Sequence, residues 1–174
     1  HRGLGKTGVV GTLRNGRGNR SVALRADMDA LAMDELNTFE HASAHEGKMH
    51  GCGHDGHTTM LLGAAKYLAN NPEFDGAVHF IFQPAEEGYA GADAMIKDGL
   101  FDLFPVESVW GMHNMPGLPV GHIATRAGPM MACSDTVNVV VHGTGGHGAM
   151  PHFAKSPVNG ACAIITALQD FLAQ

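Results

Sequence analysis

Short apolar runs separated by polar, Gly-rich turns predict several strands in the first part of the chain. Residues 7–15 and Ser21–Asp27 form two such runs, and Asn15-Gly16 between them is a standard signal for a hairpin that would pair them. Residues 77–83 are almost continuously apolar, as expected for a strand covered on both faces of a parallel sheet. Residues 108–112 predict another buried strand.

Apolar residues at helical spacing predict helices between these strands. A helix is expected over residues 56–70, with Asp55 as its N-cap. Its buried stripe would consist of Leu61, Ala64, Ala65 and Leu68. A shorter helix is expected over residues 90–97, followed by Gly99 as the C′ residue. The alternation of strands and helices predicts an α/β fold with a largely parallel sheet flanked by helices.

The pattern changes in the last third of the chain. Residues 121–126 and the β-branched run 136–142 each predict a strand. A helix with Ser156 as N-cap and Pro157 at its first position is expected to run to Phe171. We place a domain boundary near residue 128.

Composition and charge exclude several classes of partner. The chain has 174 residues, 44% of them hydrophobic, and its formal net charge is −6. This charge argues against nucleic acid or an anionic membrane as the main partner. No apolar run reaches the roughly 18 residues of a membrane-spanning helix, and no signal peptide is visible. The three cysteines are widely spaced, which argues against a disulfide framework and favours a reducing compartment, here the cytoplasm.

The segment Met49–His57 carries the densest chemistry in the sequence. It reads Met-His-Gly-Cys-Gly-His-Asp-Gly-His. If the segment is extended, His50, Cys52 and His54 point the same way, and thiolate, imidazole and carboxylate groups suit a Zn²⁺-, Mn²⁺- or Co²⁺-type ion. The alternative is a Gly-rich turn that happens to contain histidines. Cys52 as a thiol nucleophile fits less well, because the surrounding carboxylates and histidines favour metal ligation.

Further polar groups follow the predicted strands. Glu86 and Glu87 come after the strand at 77–83, and His113 follows the strand at 108–112. Ligands of such sheets bind outside the carboxyl ends of the strands, so these groups are expected to converge. One glutamate could bind a metal while the other takes a proton from water, and the alternative is a solvated acidic turn.

Two pairs of residues have more than one possible role. Asp27 and Asp29 could be ligands, partners that orient a ligating histidine, or helix caps. We expect the orienting role for Asp29 and leave Asp27 open. His147 and His152 lie in a Gly-rich loop that could be a plain turn or could present an imidazole to a developing oxyanion.

Taken in order, these motifs resemble the aminoacylase/hippurate hydrolase family of the zinc-peptidase clan, which also contains plant auxin-conjugate hydrolases and N-acetyl-diaminopimelate deacetylases. The matching segments are Gly-Lys-Thr-Gly-Val-Val at 5–10, Arg-Ala-Asp-Met-Asp-Ala-Leu at 25–31, the Met49–His57 segment, Gln-Pro-Ala-Glu-Glu-Gly at 83–88, Gly-Met-His-Asn at 111–114 and Gly-Gly-His-Gly-Ala-Met-Pro-His at 145–152.

The resemblance implies a binuclear metal site and a hydrolytic reaction. The implied ligands are Cys52, His54, Glu87 and His113. Glu86 would be the general base that passes a proton to the leaving amine, and His147 would help stabilise the oxyanion. The implied ions are Mn²⁺ or Zn²⁺, with Co²⁺ or Ni²⁺ as alternatives. The implied substrates are N-acyl amino acids such as N-benzoylglycine.

The resemblance also assigns roles to the two domains. Residues 1–128 would be part of the metal-binding catalytic domain, and residues 129–174 the opening of an α+β lid domain through which the family dimerises. The family's last ligand is a histidine farther downstream than Gln174, so we expect this chain to be an internal fragment that is inactive alone.

Two other functions remain as alternatives. One is a di- or carboxypeptidase of the same clan; the peptidase branches carry His-x-Asp where this chain has Asp27-Met28-Asp29. The other is a non-catalytic metal-binding module, for which Glu86 would have little use.

Overall fold

The computed structural model describes residues 1–133 and 135–173, which form two compact units, His1–His122 and Ile123–Gln174. The first unit contains the strands β1 (Arg2–Leu4), β2 (Gly8–Asn15), β3 (Ser21–Asp27), β4 (Gly76–Gln83) and β5 (Ser108–Gly111), and the helices α1 (His54–Asn70), α2 (Gly91–Lys97) and α3 (Leu100–Leu103). The second unit contains a 3₁₀ turn (Pro151–Phe153) and the helix α4 (Pro157–Leu172). None of the described helices combines the length and the apolar character needed to cross a membrane.

The five strands form one mixed sheet in the order β1-β2-β4-β3-β5. β3 pairs in parallel with both β4 and β5, whereas β2 is antiparallel to β4 and to β1. Four of the five strands therefore run in one direction, and the predicted α/β fold with a largely parallel sheet is confirmed.

The predicted hairpin between β2 and β3 is wrong, because β4 lies between them. Seven of its eight residues pair with β2 on one side, and seven pair with β3 on the other. The chain after Asn15 instead wraps around Asp75, whose Oδ1 accepts hydrogen bonds from the backbone N–H groups of Arg17 (2.8 Å) and Gly18 (2.7 Å). The Asn-Gly signal thus marks a turn that an aspartate from a distant segment stabilises.

Helices cover both faces of the sheet. Seven of the eight residues of β4 are buried, which confirms the prediction from its apolar run. Val78 and Phe80 pack with Leu61 of α1 on one face, whereas Ile81 packs with Met95 of α2 on the other. The side chains of a strand alternate between faces, so β4 supplies both cores.

Several predicted elements have different bounds or are absent. α1 begins at His54 with Gly53 in the N-cap position, so the prediction of Asp55 as N-cap is wrong; Gly53 has the left-handed conformation (φ 85°) that a glycine adopts without strain. β5 is an edge strand whose Val109 and Trp110 are largely exposed, so the prediction that it is buried is also wrong.

The second unit contains less sheet than its sequence predicts. Residues 121–126, at the junction of the units, and residues 136–142 are not strands. A β-branched run forms a strand only when a partner is available, and the pairing described in this unit is the single bridge between Thr144 and Lys155. The helix prediction is confirmed, because α4 begins at Pro157 with Ser156 accepting a hydrogen bond from the backbone N–H of Asn159.

Candidate metal centre

Polar side chains collect where the three parallel strands end. Asp27 is the last residue of β3, Glu86 and Glu87 follow β4, and His113 follows β5. The start of α1 lies at the same edge, since its His54 approaches Asp27, Glu86 and Glu87. The structure therefore brings together the groups that the sequence placed after separate strands.

His54 is the residue around which these groups are arranged. Its ring is fully buried, and Nδ1 lies 2.9 Å from the backbone carbonyl oxygen of Asp29, to which it can only donate. In the neutral ring Nε2 then carries the lone pair, and this nitrogen lies 3.7–3.9 Å from carboxylate oxygens of Asp27, Glu86 and Glu87. Within residues 1–133 and 135–173, this buried nitrogen has no hydrogen-bond partner.

This arrangement fits a cation. In the neutral ring, a buried lone pair that faces three carboxylates is repelled by them and makes no hydrogen bond, which is unfavourable for a folded protein. A divalent metal ion would accept the lone pair and neutralise the carboxylates at once. The orphaned Nε2 atom of His54 is therefore direct structural support for a metal centre.

Cys52 and His113 supply further donor atoms beside His54. Cys52 Sγ lies 3.5 Å from His113 Nε2, and one donor atom from each of these two residues and from His54 lie within 4.8 Å of one another. Burial raises the pKa of the Cys52 thiol, and the negative charge of Glu87 raises it further. A metal ion that binds the sulfur displaces this proton, so the thiolate would form together with the metal centre.

A second set of donor atoms joins His54 to the two glutamates. Oxygens of Glu86 and Glu87 lie within 4.8 Å of each other and of His54. The Glu87 side chain is 29% exposed and the Glu86 side chain 45% exposed. The donor set of thiol, imidazole and carboxylate is one that Zn²⁺ and related ions bind.

His50 does not take part as the sequence predicted. Gly51 and Cys52 form a turn, so the segment is not extended and its side chains do not alternate on one face. His50 is exposed and belongs to none of the three groups of potential ligands found among the described residues.

The loop that carries Glu86 and Glu87 is held in a tight conformation. Ala85 adopts a left-handed backbone conformation (φ 55°), which costs a non-glycine residue about 1–3 kcal/mol and is typical of functional loops. Gly91 donates its backbone N–H to the Ala85 carbonyl over 2.9 Å, and a Cβ atom at Gly91 would overlap the Pro84 carbonyl oxygen. Gly91 therefore closes the loop at a point where no side chain fits.

Asp29 connects this loop to His54. Its Oδ2 accepts a hydrogen bond of 2.9 Å from the backbone N–H of Glu87, and its Oδ1 lies 3.4 Å from His54 Nδ1. Burial raises the pKa of Asp29, but the N–H donors of Glu87 and Glu86 outweigh burial and the pKa is lowered. Asp29 thus contacts both the histidine and the glutamate loop, and its orienting role stays a prediction.

Three further residues, His57, Arg25 and Asn114, had no role predicted from the sequence. His57 Nδ1 lies 2.6 Å from Asp27 Oδ1, and Arg25 Nη1 donates to Asp27 Oδ2 over 2.8 Å. Burial raises the pKa of Asp27, but the hydrogen bond from His57 and the charge of Arg25 outweigh burial, so the pKa is lowered. The i, i+3 spacing of His54 and His57 on a helix was the available signal, because it places both rings on one face.

His147 belongs to the second compact unit. It is exposed, and its Nδ1 accepts a hydrogen bond of 3.2 Å from the backbone N–H of Ala149. The role that the resemblance implies for this residue stays a prediction.

Comparison with known proteins supports this description. The sequence profile of peptidase family M20/M25/M40 matches residues 23–171. Hippurate hydrolase of Campylobacter jejuni is 50% identical over 171 residues, which cover 98% of this chain and 44% of that enzyme. Thermostable carboxypeptidase 2 of Saccharolobus solfataricus is 44% identical over 171 residues, which cover 97% of this chain and 43% of that enzyme.

A solved structure shows the same fold. The Bacillus subtilis YXEP protein, described as a dinuclear metal binding peptidase from the M20 family, matches 71% of this chain and 34% of its own with a TM-score of 0.67 and 43% identity. The chain spans less than half the length of these relatives. Since the family profile covers most of the sequence and the polar groups of its motifs meet at one edge of the sheet, the chain belongs to peptidase family M20/M25/M40.

Proposed function

We propose that this protein hydrolyses the amide bond of N-acyl amino acids, with substrates like N-benzoylglycine, and that it uses two divalent metal ions. The observation that carries the proposal is the buried Nε2 atom of His54, which faces three carboxylates without a hydrogen-bond partner in the described part of the chain. The ions proposed are Mn²⁺ or Zn²⁺, because the donor set mixes thiol, imidazole and carboxylate groups.

Four residues would hold the ions. These residues are Cys52, His54, Glu87 and His113. When bound, such ions lower the pKa of water and polarise the carbonyl group of an amide. Asp29 orients His54 through its backbone carbonyl oxygen and holds the Glu87 backbone through its carboxylate.

Glu86 would serve as the general base. It lies beside His54 and Glu87 but is the more exposed of the two glutamates, so its carboxylate can reach a water molecule and a substrate. It would accept a proton from the attacking water and deliver this proton to the nitrogen of the leaving amine. A non-catalytic metal-binding module would have no use for this group.

The two units would have separate roles. The first would carry the catalytic ligands. The second would belong to a lid through which the protein dimerises, with His147 stabilising the oxyanion. A free Cys52 thiol as ligand suits a reducing compartment such as the cytoplasm.

A carboxypeptidase is the second candidate, because one similar enzyme carries that name at 44% identity. Enzymes named for hippurate and for peptides are similar to this chain to nearly the same extent, so identity alone does not separate the two substrates.

Product analysis separates the candidates. The intact, Mn²⁺-loaded protein would be incubated with N-benzoylglycine, with N-acetyl amino acids and with N-blocked dipeptides, and the released amino acids quantified. Release of glycine from N-benzoylglycine with little cleavage of the blocked dipeptides is expected. Preferential removal of the C-terminal residue from the dipeptides would favour the carboxypeptidase, and hydrolysis of neither would favour a non-catalytic module.

A further inference from the structure

His57 lies one helical turn after His54 and is buried, with only 2% of its surface exposed. Both of its ring nitrogens have partners in other elements. Nδ1 lies 2.6 Å from Asp27 Oδ1 at the end of β3, and the backbone N–H of Asn114 donates to Nε2 over 2.9 Å. We infer that His57 is a positioning residue, which holds Asn114 and the adjacent His113 against α1 so that His113 is oriented toward a metal ion; this inference rests on the proposed function.

The hydrogen bonds define the state of the ring. A backbone N–H has a fixed direction and can only donate, so Nε2 of His57 must present a lone pair to Asn114. The proton then sits on Nδ1 and is donated to Asp27. The side-chain amide of Asn114, whose Oδ1 is placed 2.8 Å from the same Nε2, can be turned so that its nitrogen donates instead.

His113 lies beyond the last residue of β5 that pairs with β3. The pairing of β3 with β5 ends at Arg25 and Gly111, two residues before His113. Beyond that point, the hydrogen bond from Asn114 to His57 ties the chain to α1. The rings of His57 and His113 also pack edge to face, with centroids 4.6 Å apart.

Gly53 allows the close approach of Asn114. A Cβ atom on Gly53 would lie 2.5 Å from Asn114 Oδ1, so a side chain at this position would push the amide away. The glycine before α1 and the histidine in its first turn therefore act on the same residue. Both features bring the loop after β5 onto the start of the helix that carries His54.

The other end of His57 is anchored in the sheet. Asp27 accepts hydrogen bonds from His57 and from Arg25 Nη1, and Arg25 Nε donates to Gln83 Oε1 over 2.8 Å. A continuous chain of hydrogen bonds thus runs from β4 through β3 and α1 to the loop after β5. A network in which these members are paired holds its geometry better than separate contacts do.

His57 is not placed to be a ligand itself. Donor atoms of Asp27, His54 and His57 lie within 4.8 Å of one another, which would permit a metal group. However, a ligating histidine needs a free lone pair, and both nitrogens of His57 are already used. His54 Nε2 is the atom in this group that remains without a partner in the described chain.

The test compares metal binding by three variants of the intact protein. His57→Ala removes the link, and His57→Gln offers an amide that can accept the hydrogen bond from Asn114. His79→Ala is the matched control, because His79 is also buried and hydrogen-bonded, to Thr12 in the sheet, but lies outside the metal centre. Mn²⁺ affinity and stoichiometry are measured by titration calorimetry, with melting temperature as a check on folding.

We expect His57→Ala to bind the same number of Mn²⁺ ions as the wild type, with affinity for one ion lowered by about 10–100-fold. His57→Gln is expected to recover part of that loss, and His79→Ala to bind like the wild type. If His57→Ala does not fold, the test rests on His57→Gln, which should bind Mn²⁺ at least several-fold more weakly than the wild type.

Three results would overturn the inference. Wild-type affinity in both His57 variants would mean that the link does not orient His113. Loss of one ion at saturating Mn²⁺ would make His57 a ligand. No Mn²⁺ binding by the wild type would remove the metal centre altogether. Normal Mn²⁺ binding without hydrolysis of N-benzoylglycine would instead reject the proposed function and leave the role of His57 intact.

Discussion

The backbone N–H of Glu87 donates a hydrogen bond of 2.9 Å to Asp29 Oδ2, which joins the loop after β4 to the loop after β3. The same aspartate contacts His54 through its carbonyl oxygen. Asp29, which is not a proposed ligand, thus fixes the proposed ligands Glu87 and His54 relative to each other.

Replacing Asp29 should weaken metal binding without removing an ion. Asp29→Ala loses the acceptor for the Glu87 N–H, so we expect Mn²⁺ affinity to fall by about 10–100-fold while the stoichiometry stays constant. Titration calorimetry measures both quantities. Asp93→Ala is the control, since Asp93 is exposed and pairs with Lys97 in α2. Equal affinities for Asp29→Ala and the control would contradict the orienting role.

Glu86→Gln should separate metal binding from hydrolysis. The amide cannot accept a proton from water, and Glu86 is not one of the proposed ligands. In the full-length protein we expect unchanged metal content and a loss of about 10²–10⁴-fold in kcat for N-benzoylglycine. Glu73→Gln, at an exposed position beyond the C-terminal end of α1, should keep full activity. Normal turnover by Glu86→Gln would show that another group is the base.

Gly91→Ala should disturb the loop that carries the two glutamates. The added Cβ would overlap the Pro84 carbonyl oxygen, so we expect a loss of about 1–3 kcal/mol in the free energy of unfolding, together with weaker Mn²⁺ binding. Gly63→Ala is the matched control in α1, where a Cβ meets no atom within 4 Å among the described residues. The free energy of unfolding of Gly63→Ala should rise by about 0.5–1 kcal/mol, because alanine favours a helix. Unfolding in urea measures both, and equal stability in the two variants would contradict the tight loop.

His79 should make stability depend on pH. Burial lowers the pKa of this histidine, and the positive charge of Arg14 lowers it further. The unfolded chain therefore takes up a proton near pH 6.5 while the folded chain does not, so stability is full above that pH and falls as the pH drops below it. Urea unfolding of metal-free protein between pH 8 and pH 5 should show a smaller loss in His79→Gln than in the wild type. The same loss in both proteins would assign the effect to other groups.

Local signals in the sequence were sufficient for several elements and for the main groups of the site. The stripe at Leu61 and Leu68 predicted α1, and Ser156-Pro157 predicted the start of α4, because both depend on contacts within a few residues. Strands that end in polar residues predicted the meeting of Glu86, Glu87 and His113, because parallel strands share one edge.

Contacts between residues far apart in the sequence could not be predicted from local signals. The Asn15-Gly16 turn suggested a hairpin, but β4, which begins about sixty residues downstream of this turn, separates β2 from β3. The run at 136–142 has strand composition without a described partner. His57 was missed because its role is visible only when Asp27 and Asn114, which lie 30 and 57 residues away in the sequence, are placed beside it.

The metal content of the protein tests the central claim most directly. Metal-free wild type and Cys52→Ser are each dialysed against Mn²⁺ and against Zn²⁺, and bound metal per chain is then determined by elemental analysis. We expect two ions per wild-type chain and fewer, or more weakly held, ions in Cys52→Ser. No bound metal in the wild type, or equal content and retention in both proteins, would contradict a metal centre built on His54 and Cys52.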